Sequence, residues 1–419
     1  MPIEAKARAF FGWRVVGAAF VLAFFGWGLG FYGPPVFLHA VRETRGWSVA
    51  LISAAVTVHF LVGAMVVANL PALYRRFGLA PVTRGAAISL ASGVVGWAVA
   101  QEPWQLFAAT VLSGAGWVAM SAAAINAIVS PWFVRNRVGA LGMAYNGASI
   151  GGLVFSPLWV GLIALWGFPA ATGAVGAVTV LVVWVLAGLY FARSPDDLGQ
   201  AADGDAPGMT TATVSAPWVA PLPGTSLRAS WQFRTLAAGM ALALFAQIGL
   251  VAHLFSLLVP ALGASTAGLV MGIATGLAMG GRMVVGWLMP PGADRRIAAC
   301  LNYAMQIAGS LALLSAAGRD VPLLLLGTVL FGAGIGNTTS MPPLIAQVEF
   351  TKEDVPRVVA LIVAMSQAAY AFAPATFGVL RELSATAGAG PGEAPWVFLA
   401  AALAQGLAIV AMLVGRRSA

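Results

Sequence analysis

The sequence predicts an all-α membrane protein with twelve transmembrane helices arranged as two six-helix bundles. Three observations support this prediction: an apolar composition, regularly spaced apolar segments, and a similarity between the two halves of the chain. Of the 419 residues, 60% are hydrophobic and 9% are charged. Soluble domains contain about 25% charged residues, so this composition excludes a soluble enzyme, a disordered chain and a nucleic-acid-binding module.

Twelve apolar segments are long enough to cross a bilayer, which requires about 20 residues each. Their approximate bounds are 13–38, 48–70, 82–100, 104–130, 137–164, 168–192, 232–259, 266–289, 296–317, 321–346, 356–380 and 395–414. Each segment is continuously apolar rather than alternating, so we expect helices and not the strands of a barrel. We refer to these segments as spans 1 to 12.

A polar stretch, residues 193–231, separates the two sets of spans. It is rich in Asp, Gly, Pro, Ala and Thr, a composition that cannot build a hydrophobic core. We therefore expect a flexible cytoplasmic linker between an N-terminal bundle, residues 1–192, and a C-terminal bundle, residues 232–419. The first apolar run is too long for the core of a signal peptide, so it is expected to remain as the first helix.

The distribution of positive charge orients the chain in the membrane. With both termini in the cytoplasm, seventeen Lys and Arg residues lie on the cytoplasmic side and four on the outer side. Cytoplasmic loops carry the excess of positive charge in membrane proteins. The net charge of +8 is therefore interpreted as a topology signal, and no nucleic-acid partner is expected. The richness in Ala and Gly is typical of a high-GC bacterium, which would place the protein in the lipid bilayer of the inner membrane.

The two halves of the chain resemble each other at an offset close to 220 residues. Residues 110–116 read TVLSGAG, and residues 328–334 read TVLFGAG. Span 5 begins RVGALGMAYNGAS at Arg137, and span 11 begins RVVALIVAMSQAA at Arg357. Two parallel six-helix halves joined by a cytoplasmic linker are the pattern of an alternating-access transporter.

Three motifs make the chain similar to the major facilitator superfamily. The loop after span 2 reads LPALYRRFG, which resembles the superfamily signature around RFG except that Arg75 stands where an Asp is usual. Span 8 reads GGRMVVGWLMPPGADRR, similar to the GRxxxGxL copy of that signature in the second half. The segment PWFVRNRVGALGMAYNGASIGG resembles a pattern of the monocarboxylate and oxalate/formate branch. The resemblance implies the fold, rocker-switch alternating access and a monomeric protein.

Arg282 is the foremost candidate for binding a substrate. It lies well inside span 8, about 24 Å from the outer end of that span at 1.5 Å per residue. No Asp or Glu lies inside a predicted span to pair with it, and a charge there costs at least about 2.5 kcal/mol unless it faces a cavity or a partner. A substrate carboxylate could supply the missing anion through two hydrogen bonds. The alternative is a structural arginine that bonds helix-end carbonyls.

The resemblance adds a role for Arg282 and raises the question of coupling. In the monocarboxylate branch an arginine of span 8 binds substrate, and Arg282 matches it by position. Proton-coupled members also carry an Asp one turn earlier, where this chain has Ala278, and a Lys late in span 1, where it reads FYGPPVFL. Proton symport would then depend on His59 or His253, since histidine titrates near neutral pH, or on a proton carried by the substrate. For both histidines the alternative is a hydrogen-bonded packing role, which is preferred for His253; absence of coupling would mean uniport or anion exchange.

Further candidates follow from the superfamily pattern, in which spans 1, 4, 7 and 10 line the cavity with contributions from spans 2, 5, 8 and 11. The polar residues proposed to bind substrate beside Arg282 and His59 are Tyr32, Asn126, Asn146, Asn337 and Tyr370. Each could instead make an interhelical hydrogen bond, worth about 0.6 kcal/mol on average. We expect about two or three of the last five to touch substrate. Asn302 and Gln306, in span 9, are expected to pack between helices.

Glycine and proline residues predict where the helices pack closely or bend. Small-residue spacing in spans 5 and 8 favours close helix packing at the seam between the halves; it is formed by Gly147, Gly151, Gly152, Gly272, Gly276 and Gly280. Prolines within the spans are expected to kink cavity helices; they are Pro34, Pro35, Pro157, Pro342, Pro343 and Pro374.

These observations predict a secondary active or facilitative transporter of small organic anions, with monocarboxylates as the expected class. An exporter of drugs or of aromatic or amphipathic compounds with the same fold is the alternative, and the 14 Trp and 22 Phe residues would suit it. A membrane-embedded enzyme is disfavoured because the sequence offers no catalytic grouping. No cofactor or metal is expected, since the sequence has no GxxxxGK[ST] motif, one Cys and three scattered His.

Overall fold

The structure, a computed structural model, describes residues 10–204, 227, 229–290, 293–351 and 353–416. It contains eleven helical stretches long and apolar enough to cross a membrane, one of which, Trp231–Leu288, has 58 residues. A helix of that length would extend about 87 Å, roughly three times the hydrocarbon core of a bilayer. Gly263, with φ of +73°, breaks this stretch into two spans. The described residues therefore contain the twelve predicted spans, and the protein is an all-α, multi-pass membrane protein.

The observed helices follow the predicted spans closely. In the first half they are Gly12–Gly30 and Gly33–Arg45 (span 1), Val49–Phe77, Leu79–Val99, Pro103–Val118 and Ala122–Val129 (span 4), Arg137–Trp166, and Phe168–Leu186 with a π-helical turn at Ala187–Phe191. In the second half they are Trp231–Leu288 (spans 7 and 8), Arg295–Ser315, Val321–Glu349, Val355–Tyr370 and Ala373–Thr386 (span 11), and Pro395–Val414.

Spans 1, 4 and 11 are each interrupted partway across the membrane. Span 1 breaks at residues 31–32 and span 11 at residues 371–372, in both cases just before proline. Proline lacks the N–H of a helical hydrogen bond and clashes with the preceding turn, so the expected disruption is confirmed at Pro34, Pro35 and Pro374. The other three prolines lie inside continuous helices. The break of span 4, at residues 119–121, has no proline beside it and was not predicted.

Glycines allow several spans to cross at close range. A Cβ at Gly151 would lie 2.6 Å from the carbonyl oxygen of Phe24, where spans 1 and 5 cross. A Cβ at Gly272 would lie 2.7 Å from the carbonyl oxygen of Leu153, where spans 5 and 8 cross between the two halves. The predicted close packing is confirmed at these two positions and at Gly147, where a Cβ would clash with the carbonyl oxygen of Phe20, whereas a side chain at Gly280 would meet open space.

The two halves are joined by hydrogen bonds on one face of the membrane protein. The backbone N–H of Ala50, at the start of span 2, donates to Glu382 Oε1 of span 11 over 2.9 Å. The N–H of Ala375 donates to Thr57 Oγ1 over 3.1 Å. The first helix begins and the last helix ends on the same side of the membrane, which we call the terminal face. The two hydrogen bonds lie on the opposite side, which we call the sealed face.

The described part of the linker bonds to the first half on the terminal face. The carboxylate of Asp203 accepts hydrogen bonds from the backbone N–H groups of Val134, Arg135 and Asn136, at 3.0, 2.8 and 3.1 Å. Residues 193–204 thus lie against the loop between spans 4 and 5. Most of the predicted flexible linker, residues 205–226, falls outside the described ranges.

Asp203 predicts a pH dependence of stability. Partial burial alone would raise the pKa of its carboxyl, but the three backbone donors and Arg135 outweigh burial and hold the pKa below its usual range. The ionised carboxylate therefore stabilises the folded protein above the unfolded pKa of about 3.9, and this contribution is lost as the pH falls through the folded pKa. We expect Asp203→Asn to cost about 1 kcal/mol at neutral pH, the size of a lost helix cap, and the difference from the parent to disappear in acid.

Thermal unfolding in detergent across this pH range would measure the effect. Asn tolerates the left-handed backbone of Asp203, where φ is 61°, so the variant removes charge without adding strain. Asp196→Asn, which removes an exposed carboxylate from the same segment, is the matched control. Identical Tm profiles for the two variants would contradict the assignment.

A buried arginine ties the second half together on the terminal face. Arg296 is 2% exposed, and its Nε and Nη2 donate to the two carboxylate oxygens of Glu349 over 2.5 and 2.8 Å. Its Nη1 donates to Thr235 Oγ1 and to the carbonyl oxygen of Met412, and Nη2 also reaches the carbonyl of Gln232. One guanidinium therefore connects spans 7, 9, 10 and 12.

Candidate substrate-binding cavity

A cavity of about 620 Å³ lies between the two halves and extends from the breaks of spans 1 and 11 toward the terminal face. It is lined by residues of spans 1, 4, 5, 7, 8, 10 and 11, which confirms the expected lining spans with one exception. Span 2 contributes no lining side chain among the described residues. The lining combines a charged side chain, several amides and hydroxyls, and a group of aromatic rings.

Four of the seven predicted site residues line this cavity and three do not. The four that the fold brings together are Arg282, Tyr32, Asn126 and Tyr370. His59 and Asn337 are buried between helices, at 1% and 2% exposure, and Asn146 is exposed on span 5 away from the lining.

Arg282 faces the cavity from span 8. Within the described ranges, no Asp or Glu lies at ion-pair distance from its guanidinium, and the side chain is exposed. Gly336 of span 10 provides room beside it, since a Cβ there would lie 3.2 Å from Arg282 Nε. The described hydrogen bonds include none from Arg282 to a helix-end carbonyl, which disfavours the alternative of a structural arginine.

Tyr32 lies beside Thr275 of span 8 and lines the same cavity as Arg282. It sits at the break of span 1, so its side chain is not constrained by a continuous helix. Gly152 of span 5 leaves space for the ring, because a Cβ there would lie 2.5 Å from Tyr32 Cζ. Tyr32 therefore reaches from the first half of the chain to span 8, the span that carries Arg282.

Amide groups line other parts of the cavity. Asn126 Nδ2 donates to the carbonyl oxygen of Ala122 and to Tyr145 Oη, at 2.9 and 2.5 Å. Gln247 Oε1 accepts from Gln306 Nε2 over 3.3 Å, and Gln306 Oε1 in turn accepts from Gln405 Nε2 over 2.7 Å. The hydrogen bonds through Gln306 and Gln405 fix the orientation of Gln247. Its place in the cavity wall was not predicted from the sequence.

Aromatic rings form the part of the lining that we call the aromatic wall, defined as Trp27, Phe31, Trp117 and Tyr370. Phe31 stacks on Trp117 with ring centroids 6.2 Å apart, and Trp27 meets Trp117 edge-on at the same distance. Tyr370 meets Phe60 of the other half edge-on at 5.8 Å, at the closed end of the cavity. Among these four, Tyr370 alone belongs to the set of site residues predicted from the sequence.

The two membrane histidines occupy packing positions. His59 Nε2 lies 3.0 Å from the carbonyl oxygen of Gly30, and Nδ1 lies 2.8 Å from Ser113 Oγ. In a continuous helix that carbonyl would accept from residue 34, which is a proline without an N–H, so His59 replaces the missing donor at the break of span 1. His253 Nε2 lies 3.1 Å from the carbonyl of Pro374, which agrees with the packing role preferred for it.

Asn302, Gln306 and Asn337 make hydrogen bonds between helices. Asn302 Nδ2 donates to the carbonyl of Gly334 over 3.1 Å, and Gln306 joins spans 7, 9 and 12, so the expected packing role in span 9 is confirmed. Asn337 Nδ2 donates to the carbonyl of Gly281 over 3.3 Å and joins spans 8 and 10.

Comparison with known sequences gives a family and two partial relatives. The model of the Major Facilitator Superfamily matches residues 15–374. Monocarboxylate transporter 11 of Mus musculus and that of Homo sapiens are each 30% identical to the chain over 176 residues, which is 40% of the chain. The alignment covers 38% and 36% of these two transporters, so the chain matches well under half of their length.

Comparison with solved structures gives the same overall fold. A D-xylose-proton symporter superposes with a TM-score of 0.70 at 15% identity, covering 96% of this chain and 97% of that chain. The nucleoside transporter NupG gives 0.69 at 13% identity, with 97% and 100% covered. A bacterial homolog of the human lysosomal transporter Spinster, inward-facing and occupied, gives 0.69 at 15%, with 96% and 94% covered. These likenesses establish the fold.

Proposed function

The chain belongs to the major facilitator superfamily, and from this premise we propose that it transports small organic anions, monocarboxylates first among them, with Arg282 binding the substrate carboxylate. The protein is a membrane-embedded transporter of small molecules and not an enzyme. The observation that carries the proposal is the guanidinium of Arg282, which faces an inter-bundle cavity and has no acidic partner among the residues that the structure describes.

The chemistry of this guanidinium favours a carboxylate. An arginine at membrane depth is costly unless a partner or water stabilises its charge. A carboxylate matches its planar fork with two parallel hydrogen bonds, and the hydroxyl of Tyr32, which lies near Arg282, can donate a further bond. The partial similarity to proteins named monocarboxylate transporter supports the same class of substrate.

The proposed mechanism is secondary, active or facilitative transport by rocker-switch movement of residues 1–192 against residues 232–419. With both termini in the cytoplasm of an inner-membrane monomer, the described state is open to the cytoplasm and closed outside. The bonds from Ala50 to Glu382 and from Ala375 to Thr57 would break when the sealed face opens. Since neither His59 nor His253 lines the cavity, we propose uniport, anion exchange or movement of a proton with the substrate.

Ligand-induced thermal stabilisation of the purified protein tests the carboxylate site. A ligand that binds the folded state stabilises it by about 2.7 kcal/mol at a hundred times its Kd. We expect pyruvate, lactate or a related carboxylate to raise the Tm of the parent, and this rise to vanish in Arg282→Ala. Arg84→Ala, which removes an arginine that contacts Trp184 outside the cavity, should keep the full response.

The opposite pattern would overturn the proposal. If neutral amphiphiles stabilise the parent and Arg282→Ala equally, Arg282 is not the binding residue and the drug-exporter alternative gains support. The Tm of ligand-free Arg282→Ala provides a check on folding. Because the variant removes an unpaired charge, we expect this Tm to equal or exceed that of the parent.

A further inference from the structure

We propose that the cavity selects carboxylates that carry an aromatic ring over short aliphatic carboxylates. This inference rests on the proposed function, since it takes Arg282 as the carboxylate site. It adds a second subsite, formed by the aromatic wall, for the body of the substrate.

The size of the cavity is the first argument. Its volume is about 620 Å³. Pockets of about 300–1,000 Å³ accommodate drug-sized molecules. A short aliphatic acid bound at Arg282 would leave most of the apolar lining without contact, whereas a larger substrate would cover it.

The position of the aromatic wall is the second argument. Trp27 and Phe31 precede the break of span 1, Trp117 precedes that of span 4, and Tyr370 precedes that of span 11. The rings therefore gather at the closed end of the cavity, at the level of the helix breaks. Stacked and edge-on aromatic contacts are worth about 0.5–1.5 kcal/mol beyond the burial of area, so a substrate ring would find a favourable surface there.

The arrangement of the two subsites is the third argument. Phe31 and Tyr32 are neighbours in the chain, but the break of span 1 sends them to different partners. Phe31 stacks on Trp117, whereas Tyr32 lies beside Thr275 and lines the same cavity as Arg282. The rings of Phe31 and Tyr32 are perpendicular, with centroids 5.0 Å apart. A ligand that carries both a carboxylate and a ring would therefore find the guanidinium and the wall in one cavity.

Three ligands built on the same three-carbon chain distinguish the contributions of the two subsites to binding. Propionate carries the carboxylate alone, hydrocinnamate adds a phenyl ring to its terminal carbon, and hydrocinnamamide keeps the ring and removes the charge. We expect calorimetric titration of the parent to give a Kd for hydrocinnamate at least about ten-fold below that for propionate, since a phenyl ring buries substantial apolar area. The neutral amide should bind far more weakly than hydrocinnamate.

Variants of one wall residue test where the ring binds. Trp27→Leu should bring the Kd ratio of propionate to hydrocinnamate toward one, and Trp27→Phe, which restores a ring, should recover part of it. Trp104→Leu is the matched control, because Trp104 is 67% exposed and lies outside the cavity. If Trp27→Leu does not fold, the three ligands on the parent protein still decide the question.

The outcomes distinguish the two proposals. Equal affinity for propionate and hydrocinnamate, both lost in Arg282→Ala, would overturn the aromatic subsite and leave the anion transporter in place. Equal affinity for hydrocinnamate and its amide, unaffected by Arg282→Ala, would overturn the carboxylate site itself. A ring preference that persists in Trp27→Leu and Trp27→Phe alike would place the ring away from the wall and contradict the inference.

Discussion

Replacing Arg296 by Met is expected to lower the free energy of unfolding by about 3–5 kcal/mol, the range measured when one partner of a buried ion pair is removed. Arg296 is 2% exposed and Glu349 is 12% exposed, so the variant leaves a carboxylate out of water without its cation. It also removes the donors to Thr235, Gln232 and Met412. Four spans lose their shared connection at once.

A double-mutant cycle separates the pair from its surroundings. Arg296→Met combined with Glu349→Leu removes both charges, and replacing a whole buried pair by apolar side chains is often neutral. We therefore expect the double variant to recover much of the Tm lost in Arg296→Met. Arg319→Met is the matched control, because Arg319 pairs with Glu393 at 81% exposure and such pairs contribute about 0–1 kcal/mol. A loss in Arg296→Met no larger than in this control would refute the assignment.

Arg296 illustrates what the sequence could not predict. Its position at the start of span 9 identified it as one of the positive charges that orient the chain, and that inference used composition alone. Its partner Glu349 is 53 residues away, so no local spacing connects the two. The number of spans and their order follow from local hydrophobicity, whereas a buried ion pair depends on which helix ends meet in three dimensions.

Only part of the cavity lining was predicted, because the orientation of each helix also depends on the three-dimensional structure. Arg282 and Tyr32 were identified because a charge and a tyrosine are conspicuous within apolar spans. Asn337 follows Gly336 directly. The residues of span 10 that line the cavity recur at helical spacing and are Ile335, Gly336, Thr339, Ser340 and Pro343. A step of one residue turns a side chain by about 100°, which directs Asn337 toward span 8. When a helix is apolar on all sides, its sequence does not show which side faces the cavity.

The aromatic wall was missed because its residue types carry no positional signal. Trp and Phe also occupy lipid-facing and interfacial positions of membrane helices, so composition alone did not distinguish Trp27 from the exposed Trp287. The proline-linked breaks of spans 1 and 11 were predictable and place Phe31 and Tyr370 at the closed end of the cavity. The break of span 4, which positions Trp117, has no comparable mark in the sequence.

Gly378→Leu is expected to prevent closure of the sealed face and to abolish transport. A Cβ at Gly378 of span 11 would lie 2.6 Å from the Cβ and Oγ atoms of Ser53 and 3.4 Å from the Cα of Ala50. Ser53 Oγ already donates to the carbonyl of Val49 over 2.6 Å, and the other neighbour is backbone, so neither can move aside cheaply. A leucine therefore forces spans 2 and 11 apart and disfavours the state in which the cavity opens to the terminal face.

Labelling from the terminal face would measure this shift. The chain has one cysteine, Cys300, so a Cys300→Ser parent can carry a single new cysteine at Thr339, which lines the cavity. A membrane-impermeant maleimide should label it at least about ten-fold more slowly in Gly378→Leu, corresponding to about 1.4 kcal/mol of population shift. Gly161→Leu, where a Cβ meets open space, should label like the parent. Adding Ser53→Gly to Gly378→Leu removes the clashing side chain and should restore part of the labelling rate. Rapid labelling of Gly378→Leu itself would show that the sealed face closes without the close packing of spans 2 and 11, and would contradict the prediction.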